Sequence, residues 1–64
     1  MVTINGIQND ADGETLLEYL SRAGYDPEKV AVEQNETIVP KSQYAQTTFA
    51  EGDVIEVVSF VGGG

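Results

Sequence analysis

Apolar and polar positions alternate near both ends of the chain and follow a helical spacing between them. Val2-Thr3-Ile4 reads apolar, polar, apolar, as a strand with one buried face does, and Asn5-Gly6 is a favoured two-residue hairpin turn. A second strand is predicted at Ile7-Gln8-Asn9, followed by a loop from Asp10 to Gly13. Thr15-Leu16-Leu17-Glu18 matches a capping box, in which the Thr15 hydroxyl accepts from a first-turn amide while Glu18 reaches back to the Thr15 N–H. Leu16, Tyr19, Leu20 and Ala23 then fall at i, i+3, i+4 and i+7, one apolar stripe assigned to the core, with Leu17 at its flank. Glu18 and Arg22 are spaced to pair on the outer side, and Gly24 supplies the left-handed residue that ends the helix.

The second half repeats the strand pattern. After a turn at Asp26-Pro27-Glu28, Val30-Ala31-Val32-Glu33 alternates with Val30 and Val32 inward. A hairpin through Asn35-Glu36 leads to Thr37-Ile38-Val39, which Pro40 ends because proline cannot donate to a ladder. Ser42-Gln43-Tyr44-Ala45 predicts one helical turn capped by Ser42, returning Tyr44 and then Phe49 to the core. A turn at Glu51-Gly52-Asp53 opens the strongest strand, Val54 to Phe60. Ile55 and Val57 share one of its faces; Val54, Glu56, Val58 and Phe60 share the other. Glu56 marks its own face as solvated, so Ile55 and Val57 are assigned to the core, leaving Val54, Val58 and Phe60 exposed. Such a cluster fits a partner interface, although scattered surface hydrophobes are common in any protein.

Assembled, these elements predict an α+β fold: a mixed sheet of four to five strands packed on one main helix, plus a short helical turn. Both hairpins stay intact and the last strand is well buried only if that strand lies centrally, beside the first. This is the β-grasp arrangement, predicted as a single domain over 1–64 with a folded body at 1–60 and a flexible glycine tail at 61–64.

Composition narrows the chemistry. Three basic against eleven acidic residues give a net charge of −8, which repels phosphate backbones and anionic lipid and favours a basic protein surface as partner. There is no Cys and no His. Disulfides, thiolate nucleophiles and the usual zinc frameworks are thereby excluded, and Ser21, Ser42 and Ser59 lack a base to activate them. Asp10, Asp12 and Glu14 lack the glycine and closing Glu of a calcium loop and read as a solvated segment. No apolar run reaches spanning length and no signal peptide is present, so a cytoplasmic location is expected.

The remaining feature is Phe60-Val61-Gly62-Gly63-Gly64, an apolar strand running into three glycines. Without Cβ atoms, such a segment passes through a channel too narrow for ordinary side chains. The candidate reactive atom is then the Gly64 carboxylate. On their own, terminal glycines are better read as a loose end or a cloning remnant, and the rest of the chain decides.

Over nearly its whole length the chain resembles the sulfur carrier proteins of thiamine biosynthesis, which are ubiquitin-like β-grasp proteins. The resemblance rests on Val2-Thr3-Ile4-Asn5-Gly6, on Thr15-Leu16 with Leu20, on Asn35 followed by Ile38-Val39-Pro40-Lys41, and above all on Glu51-Gly52-Asp53 through Gly64. The segment between Asn5 and Thr15 is short for the family, and Glu36 stands where glycine is frequent. The resemblance implies a carrier that is not itself an enzyme and binds no cofactor. A partner activating enzyme would use ATP to adenylate Gly64, sulfur from a cysteine-derived persulfide, supplied through a cysteine desulfurase, would replace the adenylate, and the thiocarboxylate would donate sulfur to thiazole synthase. In that scheme Gly62 and Gly63 thread the partner's channel, and Val58, Phe60 and Val61 are candidate docking contacts. The small subunit of molybdopterin synthase, a protein modifier and a plain β-grasp binding module are the alternative readings.

Overall fold

Five short strands and one helix form because each carries its apolar residues at its own period. The computed structural model describes residues 1–60. β1 (Val2–Ile4) turns at Asn5-Gly6 into β2 (Ile7–Asn9), with both turn residues at positive φ (51° and 83°), as a type I′ turn requires. β3 (Val30–Gln34) and β4 (Thr37–Val39) form the second hairpin, whose turn residues Asn35 and Glu36 also have positive φ, 53° and 71°. Glu36 thus occupies a backbone region that L residues resist. β5 (Val54–Ser59) completes a sheet of order β2-β1-β5-β3-β4. β5 runs parallel to β1 and antiparallel to β3, so the expected central strand is the observed one.

α1 (Leu16–Arg22) carries the predicted capping box: Glu18 N donates to Thr15 Oγ1 at 3.1 Å and Thr15 N to Glu18 Oε1 at 2.9 Å. Leu16, Tyr19 and Leu20 face the sheet and are buried with Val2, Ile4, Val30, Val32, Val39, Ile55 and Val57. Tyr44 and Phe49 close the end of this core, with the Phe49 ring 5.9 Å from that of Tyr19. Backbone bonds Leu16 N to Thr47 O (2.8 Å), Phe49 N to Glu14 O (2.9 Å) and Gly13 N to Phe49 O (2.9 Å) tie the long connection to the start of the helix.

Three local expectations are corrected. Ala23 is exposed rather than core, because it is the C-cap; Gly24 turns the chain at φ 88° and Tyr25 N donates to Leu20 O (2.9 Å), so Tyr25 packs on the core instead. Arg22 pairs with Glu14 (2.7 and 2.9 Å) and not with Glu18, whose carboxylate is committed to the cap. The second helical turn is a 3-10 turn at Lys41–Gln43 with Pro40, not Ser42, at its N-cap. Proline's fixed φ of −65° delivers the chain into the turn, which backbone bonds close without a capping side chain.

Candidate functional site

The site is the root of the glycine segment and the sheet face around it. β5 is gripped along its length on one side, by five consecutive residue pairs from Val30↔Ser59 to Gln34↔Ile55. On the other side β1 is short and its pairing stops at Ile4↔Ile55. Asn5 extends it. Its backbone N donates to Ile55 O (2.9 Å), its Oδ1 accepts from Val57 N (2.8 Å) and its Nδ2 donates to Val57 O (3.3 Å). A side-chain amide therefore stands in for the next peptide of β1. Asn35 does the same at the start of β5, with its N donating to Val54 O (2.8 Å) and its Oδ1 accepting from Val54 N (2.9 Å).

Asp53 locks this end further. Its carboxylate accepts from Ala50 N (2.9 Å), Gln34 Nε2 (2.9 Å) and Asn35 Nδ2 (3.0 Å). Burial opposes the charged form, but the bonds from Ala50, Asn35 and Gln34 outweigh it and hold Asp53 below the usual carboxylate range.

The strand parity expected for β5 is observed: Ile55 and Val57 are buried, while Val54, Val58 and Phe60 are exposed. Val58 (57% exposed) and Phe60 (53%) are two of the expected docking residues; Val58 lies on the face of β5 opposite the buried Ile55 and Val57, and Phe60 directly follows the strand. Phe60 is anchored through its main chain, N to Lys29 O at 2.7 Å, and Lys41 Nζ lies 5.8 Å from its ring centroid. The third docking candidate, Val61, and the tail residues Gly62, Gly63 and Gly64 lie outside the described residues.

Sequence reasoning placed Glu56 on this face but missed Ile38 and the pairing of Glu56 with Glu33. Ile38, opposite Glu33 in the β3–β4 ladder, is 71% exposed; the inward Val39 beside it carried the parity signal. Glu33 and Glu56 stand directly opposite one another, and neither is in an ion pair among the described residues. The Asn-Gly and Asn-Glu turns announced themselves as turns, but the second duty of each asparagine depends on β5 lying alongside. Among the described residues no cluster of His, Cys, Asp or Glu could hold a metal ion, and no helix is long and apolar enough to cross a membrane.

A five-stranded mixed sheet holding one helix, with its C-terminal strand in the centre, defines a ubiquitin-like β-grasp domain. A solved structure of a thiamine biosynthesis protein (ThiS) from Geobacter metallireducens has the same fold, with a TM-score of 0.77, 31% identity, and 98% of this chain and 97% of that one covered. The ThiS family profile matches residues 2–64. The sulfur carrier protein ThiS of Bacillus subtilis is 35% identical, with all of both chains covered. A thiazole synthase of Paramagnetospirillum magneticum is 45% identical over 98% of this chain, which spans 20% of that protein's length. The chain therefore belongs to the ThiS family.

Proposed function

We propose that this chain carries sulfur to a thiazole synthase as a thiocarboxylate on Gly64, for the thiazole ring of thiamine. A carboxylate repels nucleophiles and has no leaving group. An activating enzyme therefore adenylates Gly64 with ATP. The terminal sulfur of a persulfide, provided through a cysteine desulfurase, displaces AMP to give an acyl disulfide, and a second thiol cleaves its S–S bond, leaving the thiocarboxylate on Gly64 and a disulfide on the donor. The chain itself binds no cofactor, and the cycle takes place in the cytoplasm, where persulfide donors and ATP are at hand. Gly62 and Gly63 pass through the partner's channel because they carry no side chains. Val58, Phe60 and Val61 dock the body, and the rigid hold on β5 fixes where the tail begins.

The observation that carries this reading is the match to the ThiS family through residue 64, laid on a body whose central strand leads into the glycines. The thiazole synthase relative supports the acceptor. The test is thiocarboxylate formation, followed by intact mass, with a thiamine-pathway activating enzyme, ATP and a persulfide donor. Wild type gains sulfur, whereas Gly63→Val keeps its fold and gains none. Normal thiocarboxylate on Gly63→Val would refute the threading role, and sulfur gain only with a molybdopterin-pathway enzyme would reassign the acceptor.

A further inference from the structure

We infer that Lys41 is a positioning residue for this carrier reaction, holding the Phe60 ring and so fixing the last described residue before the glycines. The role rests on the carrier reading above; the contact itself does not. β4 ends at Val39, the partner of Val32, because Pro40 cannot donate, so the ladder never reaches Val30. The Val30 carbonyl accepts instead from Tyr44 Oη at 3.1 Å and Lys41 Nζ at 3.2 Å. Tyr44 is buried, and its hydroxyl alone satisfies that carbonyl. The lysine's bond is a second one, to an oxygen that the tyrosine already pairs.

What Lys41 adds is its position 5.8 Å from the Phe60 ring centroid. In a chain with eleven Asp and Glu, Lys41 forms no ion pair with any of them among the described residues. It spends its charge on a carbonyl and an aromatic face instead. Phe60 is thus held twice, through its amide by Lys29 O and through its ring by Lys41. A partner that covers Phe60 removes water from the same contact, which strengthens it when docking occurs. A held ring raises the fraction of molecules ready to dock, and that fraction divides directly into the apparent affinity.

The test compares wild type, Lys41→Met, Lys41→Arg, Phe60→Leu and the Lys41→Met/Phe60→Leu double variant. Lys41→Met keeps the stem and the Tyr44 bond, so its Tm moves by no more than about 4 °C. Its KM as substrate of the activating enzyme rises about two- to fivefold with kcat unchanged. Lys41→Arg restores the KM, and in the Phe60→Leu background Lys41→Met has no further effect. An equal KM change in both backgrounds, or a loss confined to Tm, overturns the proposal. Proton NMR supplies a readout independent of the carrier reading: the Lys41 ε-methylene protons are shifted upfield by the Phe60 ring, and Phe60→Leu abolishes the shift. Absence of that shift in wild type overturns the positioning alone. The shift without any thiocarboxylate overturns the carrier reading, and the role with it.

Discussion

Phe49 and Phe60 are the two phenylalanines of the chain, and truncating each to alanine separates folding from docking. Phe49 is 2% exposed and packs against Tyr19 in the core, whereas Phe60 is 53% exposed. Emptying a buried phenylalanine site costs about 3–5 kcal/mol. A chain of 64 residues has roughly 3–10 kcal/mol of stability in total, so Phe49→Ala leaves little or no folded protein. Full burial of such a side chain is worth about 1.5–3 kcal/mol, and Phe60 realises about half of that in the free protein, so Phe60→Ala costs on the order of 1 kcal/mol, or about 4–8 °C in Tm. The other half becomes available only when a partner covers the ring. On the proposed docking role this half is worth about 1 kcal/mol, a roughly fivefold weaker Kd on truncation. Circular dichroism melting and calorimetric titration against the activating enzyme read the two quantities separately. A Tm loss for Phe60→Ala as large as that for Phe49→Ala, or an unchanged Kd, refutes the assignment of Phe60 to the interface.

Two further outcomes follow from the polar contacts. Because Asp53 is held below the usual carboxylate range in the folded state, its contribution is complete above the unfolded pKa of about 3.9 and is lost as pH falls through the lower folded value. Asp53→Ala is therefore less stable than wild type by about 1–2 kcal/mol at pH 7, and urea melts show the gap narrowing below about pH 4; a gap constant from pH 7 to pH 3 contradicts this. Glu56→Gln relieves the like-charge pair with Glu33 and raises stability by about 0.2–1 kcal/mol, a gain that shrinks in high salt, whereas a loss of stability would mean the two carboxylates do not oppose one another.

Much of the body was legible because its signals are local. Asn5-Gly6 dictates a type I′ turn from the two residues alone, the Thr15–Glu18 capping box marks the helix start, and Glu56 declares which face of β5 is wet. What could not be read depends on neighbours distant in sequence. Ala11 is 3% exposed inside an acidic loop, yet a small side chain carries no pattern that announces burial. Glu14 and Arg22 meet across the helix cap, a spacing that helical periodicity does not rank, and this displaced the expected Glu18 pairing. The contacts of Lys41 exist only because β4 stops short of Val30 and Phe60 arrives beside it. At the site, parity located Val58 and Phe60, but the amide stitching by Asn5 and Asn35 required the central placement of β5.

The most direct test of the account is a single-turnover transfer. The thiocarboxylate form of the chain is isolated, mixed with thiazole synthase and its remaining substrates, and followed by intact mass alongside thiazole formation. The account predicts one thiazole per carrier, with the carrier returning to the mass of its carboxylate. A carrier that keeps its sulfur in the presence of an active thiazole synthase, or thiazole formed equally well with Gly64 deleted, would contradict it.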